Sequence, residues 1–330
     1  MLILLAVALL FNISFGSANI PVKHIFSSLF NGEIENESWH YILWNYRLPK
    51  AFTAIVAGGG LALSGLLMQT LFRNPLAGPF VLGISSGASL GVAILIMGSS
   101  MFSGFLAYEL VNSFSLALAA SFGSFLVLLV VLSVASKVKD TMALLIIGLM
   151  FGSITAAFVS VLSYFTSSEE LQRYIFWTFG SLGDVSWAQL GVLVVIVFLG
   201  IILCIGSLKS LNAFLLGENY AQSMGVHIKK SRYRIIIATA LIAGSITAFA
   251  GPIAFVGLAV PHITRQFFNT TNHNILMPAV FFSGAILMLV CDLIAQLPNS
   301  ANVLPINVIT SFIGAPVVIW LLIRKQKMIF

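Results

Sequence analysis

The sequence predicts an all-α membrane protein, a single domain over residues 1–330 in which ten helices cross the bilayer. Three observations predict it. Hydrophobic residues make up 59% of the chain and charged residues only 8%, too few charges to cover a water-facing surface. The apolar residues gather into runs near the roughly 20 residues that a helix needs to span hydrocarbon. Lys and Arg concentrate in alternate connections between those runs.

The runs fall near 1–16, 51–71, 80–100, 113–135, 142–164, 188–207, 235–251, 252–268, 276–296 and 304–323. The first is short. A cleaved signal peptide is the rival reading, but no Lys or Arg precedes Leu2–Phe15, so a span is expected. Between the seventh and eighth runs, Gly251-Pro252 reads as a break; a single kinked helix over 235–268 is the alternative, and it is too long for one crossing.

With the N-terminus inside, the inner connections hold Arg73, Lys137, Lys139, Lys209, Lys229, Lys230, Arg232, Arg234, Arg265, Arg324, Lys325 and Lys327. The outer ones hold only Lys23, Arg47, Lys50 and Arg173. This bias puts both termini in the cytoplasm and requires an even number of spans. Glu33, Glu35, Glu37, Glu109, Glu169, Glu170 and Asp184 fall outside, and Trp39, Trp44 and Trp187 sit near outer boundaries, where indole rings favour the headgroup zone. The net charge of +6 is therefore a positive-inside flank, and no nucleic-acid partner is expected.

The longest polar stretches are 17–50 and 165–187 outside and 208–234 inside. Within the last, Leu216–Gly225 reads as a short helix closed by Gly225 in the left-handed region. Cys204 and Cys291 lie in apolar runs and form no metal or disulfide pattern. The five histidines are scattered, so no metal site is expected. No phosphate-binding GxxxxGK[ST] occurs, so the chain binds no ATP in a P-loop of its own. The glycines of Gly83–Gly91 instead suit close helix approach in the third span, or space for a pathway. Asp292 is the one carboxylate expected within a span. It is either a structural group hydrogen-bonded near a helix end or thin support for an ion relay.

Thr53–Gly58 (TAIVAG) in the second span resembles Thr239–Gly244 (TALIAG) in the seventh. Five crossings separate them, which is what an inverted repeat requires, although six small and aliphatic residues also match by chance.

Several blocks together resemble the FecCD-type permeases. The first half supplies Arg47-Leu48-Pro49-Lys50, Phe72-Arg73-Asn74-Pro75-Leu76-Ala77 and Leu82-Gly83-Ile84-Ser85-Ser86-Gly87-Ala88. The second half supplies Leu216-Gly217-Glu218, Met224-Gly225-Val226, Gly251–Arg265 (GPIAFVGLAVPHITR) and Ile313-Gly314-Ala315-Pro316. The resemblance implies a type II ABC importer permease fold with inverted-repeat character in a bacterial cytoplasmic membrane. It implies a dimer of permease subunits (homo- or heterodimer), two ATP-binding subunits inside and a substrate-binding protein outside. Iron chelates (siderophore or haem) or cobalamin are the implied cargo, with ATP and Mg used by the partner ATPase and no cofactor held by this chain. By position, Arg47 and Lys50 would dock the binding protein, with interfacial anchoring as the plainer reading. Lys50 stands where the family has a second Arg, which keeps charge but loses the bidentate fork. Gly217, Glu218, Ala221 and Gly225 would form the coupling helix on the ATPase, against an inert loop as the alternative. Asp140 and Thr141 would lie at the inner gate, Asp140 serving equally well as a helix N-cap. Spans five and ten, with span three nearby, would line the dimer axis. A self-contained secondary transporter or channel is the competing function; a membrane-embedded enzyme lacks any candidate nucleophile or metal cluster.

Overall fold

A computed structural model describes residues 1–16, 20–29, 36–98, 112–138, 141–296 and 303–323. All regular structure among them is helical. Each of the ten apolar runs coincides with a helix. They are α1 (Leu2–Ser14), α4 (Leu48–Phe72), α5 (Ile84–Gly98), α6 (Ser113–Lys137), α7 (Thr141–Phe165), α9 (Trp187–Ile205), α12 (Ile228–Ala250), α13 (Val256–Phe268), α14 (His273–Ala295) and α15 (Ile306–Ile323). Shorter helices lie between them: α2 (Val22–Leu29), α3 (Glu37–Ile42), α8 (Ser168–Thr178), α10 (Leu208–Phe214) and α11 (Glu218–Ser223). Six of the helical stretches are long and apolar enough to cross a membrane unaided, while α1, α5 and α15 are shorter apolar helices.

The second span begins earlier than its apolar run. A π-helical turn, Leu43–Arg47, joins α3 to α4, making one continuous helix over Glu37–Phe72. Its most apolar window is 83% buried, against 17% for that of α7. The Glu37–Phe72 helix is thus the central post, and α7 presents most of its surface to lipid or to a partner.

Glycine sets the distance between the central helices. A Cβ on Gly58 would overlap the Gly284 carbonyl of α14, and one on Gly65 would overlap the Gly257 carbonyl of α13. Backbones this close gain dispersion contacts, which lipid tails cannot match in specificity. The glycines of the third span act in the same way, Gly87 and Gly91 meeting Gly123 and Ala119 of α6.

The packing pairs repeat. α4 packs on α14 and α13, and α12 packs on α6 and α5. α5 packs on α6 and α7, and α13 on α14 and α15. Thus α4–α7 and α12–α15 correspond element by element, in register with the TAIVAG/TALIAG match. Thr53 and Thr239 are both fully buried, and Gly58 meets α14 where Gly244 meets α6. The two halves are inverted. Thr70, at the C-terminal end of α4, bonds His273 (2.9 Å), which bonds Asn212 (2.8 Å) beside the N-terminal end of α12. α1 and α9 lie outside the correspondence: α1 packs mainly on α14, α9 on α12.

The eighth span differs from its expected bounds. Gly251-Pro252 does break the chain, but residues 251–255 are not helical and α13 has only 13 residues, about 20 Å at 1.5 Å per residue. Non-helical backbone at membrane depth is tolerated where protein buries it. Here the Ala250 carbonyl accepts from Ser181 N–H (2.9 Å), and Ala254 N–H donates to Asn307 Oδ1 (3.0 Å). Phe255 carries φ +65°, uncommon for a bulky residue, and its side chain packs where α15 narrows at Gly314. The equivalent place in the first half, before α5, is a 3-10 turn, Pro79–Leu82, ending in Gly83 at φ +73°. Both halves therefore hold a shortened, interrupted helix at the same position, as expected around a transport path.

Candidate functional site

Polar side chains gather at the two ends of the bundle. One end carries Lys23, Arg47, Lys50 and Arg173; the other carries Arg73, Lys137, Lys209, Lys229, Lys230, Arg232, Arg234 and Arg265, the division drawn from the sequence. Lys139, Asp140 and residues 324–330 lie outside the described residues, as do Glu33, Glu35 and Glu109.

At the end with few basic residues, Arg47 and Lys50 face inward. Arg47 is 8% exposed, and its Nη1 donates to the carbonyls of Ile13 and Ser14 (2.9 Å to Ser14). It thereby satisfies carbonyls that the end of α1 leaves without helical partners. Lys50 Nζ lies 3.0 Å from Asp292 Oδ1. The other Asp292 oxygen accepts from Asn12 Nδ2 (2.9 Å) and Gln296 Nε2 (2.7 Å). Asp292 is therefore a structural carboxylate near the end of α14, the first of its two readings, and it ties α1, α4 and α14 together. Sequence reasoning missed its pairing with Lys50, because 242 positions separate the two (292 − 50). Trp187 Nε1 donates to the Trp44 carbonyl (2.8 Å), closing α9 against the central post.

At the basic end, α11 forms within the segment predicted for it. Gly217 precedes it with φ +105°, ψ 155°, a conformation closed to residues with a Cβ. Ala221 is fully buried beneath the helix. Past the C-cap, Gly225 N–H donates to Gln222 O and Val226 N–H to Ala221 O (3.0 Å each), with Gly225 at φ +81°. This is a Schellman closure with glycine in its left-handed position. Glu218 opens the helix and pairs with Arg232 of α12 at 3.0 Å.

Three large apolar side chains of this segment are exposed beside its polar ones: Leu216 is 61% exposed, Tyr220 55% and Met224 60%. Tyr220 lies on the helix itself, with Leu216 just before Gly217 and Met224 at the C-cap. In the sequence these three large side chains alternate with the motif residues Gly217, Glu218, Ala221 and Gly225. Large apolar side chains exposed on and beside a capped helix are suited to a protein contact.

Below α11, His273 is buried between Thr70 and Asn212. Arg265 donates to Gln69 Oε1 (3.0 Å) and His262 meets the Pro75 carbonyl (2.9 Å). These bonds fix the α10, α13 and α14 ends against the C-terminal end of α4. Thr141 is the first residue of α7; its side chain lies outside the described residues.

A bundle of inverted helical halves, each with an interrupted helix, and a small capped helix exposed at its basic end define a multi-pass membrane permease. Comparison with known proteins says which kind. The model of the FecCD transport family matches residues 4–324. The vitamin B12 import system permease protein BtuC of Klebsiella pneumoniae is 36% identical over 325 residues, covering 98% of this chain and 92% of that protein. BtuC of Salmonella paratyphi A is 35% identical, with 86% and 84% covered. A solved structure of a metal-chelate type ABC transporter in an inward-facing conformation superposes with TM-score 0.82 at 27% identity, covering 98% of this chain and 97% of that one. The chain belongs to the FecCD transport family, and it is a permease subunit of an ABC importer.

Proposed function

We propose that the chain forms half of the membrane path of an ATP-driven importer for an iron chelate or cobalamin. The single observation that carries the coupling part is the capped α11 helix, with Leu216, Tyr220 and Met224 facing outward at the basic end. A chain with no ATP site of its own needs such a surface to receive force from an ATPase. The Lys and Arg bias supports a cytoplasmic location for that end in a bacterial inner membrane, with both termini inside. The names of the relatives, one for vitamin B12 and one for metal chelates, support the cargo class.

The path is proposed to run along α7 and α15, with α5 and α13 beside it, on the axis of a dimer of permease subunits. The exposed Ile146, Met150, Phe158, Phe312 and Ile319 support this reading. Asp140 and Thr141, between α6 and α7, are the proposed inner gate. A substrate-binding protein is proposed to dock at the opposite end. As Arg47 and Lys50 are turned inward, its carboxylates would replace Asp292 at Lys50 and the α1 carbonyls at Arg47. The test is uptake by proteoliposomes holding this chain, the ATPase and the binding protein. ATP-dependent uptake of cobalamin, haem or a ferric siderophore is the expected result. Equal uptake without the ATPase would overturn the proposal.

A further inference from the structure

Arg232 belongs to the basic run of residues 229–234, which the sequence reads as a positive-inside flank. Lys229 and Lys230 fit that explanation, being exposed. Arg232 does not: it is 6% exposed and turned into the protein. Its guanidinium joins two separate elements. Nη2 donates to Glu218 Oε1, the first residue of α11, at 3.0 Å. Nη1 donates to the carbonyl of Val138, the residue that caps α6, at 3.1 Å. The electrostatics suit both contacts, since a cation is favoured at a helix C-terminal end and an acid at an N-terminal one.

We infer that Arg232 is a positioning residue that links the α11 helix to the C-terminal end of α6, so that displacement of α11 is carried to α6. The inference rests on the reading of α11 as the ATPase contact. Three features make the link stiff. A planar guanidinium holds both partners in a fixed fork, which an ammonium point charge does not. Burial denies it water as a cheap substitute for either partner. The first turns of α12 are themselves held, by Ser210 to Ser231 (2.8 Å) and by Arg234 to the Gly206 carbonyl (2.8 Å).

The experiment uses the complete transporter in proteoliposomes and measures three things: ATPase subunits retained on the purified permease, ATP hydrolysed, and chelate delivered per ATP. Arg232→Ala is expected to keep the ATPase bound while delivery per ATP falls at least tenfold. Arg232→Lys, which keeps the charge but not the fork, is expected to fall between Arg232→Ala and the unaltered protein. Glu218→Gln, which frees neither partner from Arg232 entirely, should lose less than Arg232→Ala. Delivery per ATP within twofold of the unaltered protein in Arg232→Ala overturns the inference. So does a loss that tracks only the amount of folded permease, in Arg232→Ala or, if that variant does not fold, in Arg232→Lys. The paired change Leu216→Ala and Tyr220→Ala separates the two readings. If the ATPase stays bound, the reading of α11 itself fails; if it is lost while Arg232→Ala couples normally, only the link fails.

Discussion

Replacing Lys50 with methionine removes a charge while keeping the length of the aliphatic stem, so it isolates the ion pair with Asp292. The carboxylate, 3% exposed in its side chain, would lose the Lys50 ammonium. Removing one partner from a buried pair costs about 3–5 kcal/mol. Two features lower that figure here: Lys50 is 17% exposed, and the Asn12 and Gln296 donors stay on the carboxylate. The expected loss is about 2–3 kcal/mol, about 30- to 150-fold in the unfolding constant. Asp292→Asn leaves the opposite orphan. The lysine stem can carry its ammonium toward the headgroups, so that variant is expected to lose only about 1 kcal/mol. The double change Lys50→Met with Asp292→Asn should recover most of the loss, because it removes both desolvated charges and leaves an oxygen to accept from Asn12 and Gln296. Equilibrium unfolding in mixed micelles, run as a double-mutant cycle, measures all three. No recovery in the double would refute the pairing as the source of stability; equal losses from the two single variants would refute the escape of the Lys50 ammonium toward the headgroups.

Gly225→Ala should cost about 1 kcal/mol, all of it conformational, because φ is +81° and open space surrounds the position; circular dichroism melting of the purified permease checks this. Gly58→Ala should cost about 3 kcal/mol, since its Cβ meets the Gly284 backbone, which cannot rotate away. Gly191→Ala in α9 is the control: nothing lies within 4 Å, and a gain of about 0.5–1 kcal/mol in the same unfolding assay is expected. Thr70→Val should cost about 1–3 kcal/mol by leaving buried His273 without its Nε2 partner, read as a lowered melting temperature in detergent.

The apolar runs were legible because a hydrocarbon solvent leaves a helix no other way to satisfy its backbone, so composition and length alone marked all ten. The α11 helix was legible for a local reason: Gly225 supplies the left-handed residue that closes it, and no distant contact is needed for that reading. The TAIVAG/TALIAG match was faint, because an inverted repeat conserves packing geometry more than residue identity; the paired contacts of α4 and α12 made it plain. The bounds of α13 were not legible. Pro252 marks a break but does not say that helix resumes only at Val256, which depends on Asn307 and Gly314 from another span.

By itself, the sequence determined the class of molecule, the number of apolar helices, the grouping of basic connections and the presence of a small capped helix among them. Each of these follows from interactions within a few residues or from transfer between water and lipid. The tertiary structure alone decided that Arg47 and Lys50 turn inward, that Asp292 is a structural tie, and that Arg232 bridges α11 to the end of α6. Those outcomes depend on charged groups finding partners up to hundreds of positions away. Inside a bundle, where an unpaired charge is costly, the partner that packing brings within 3 Å determines the role.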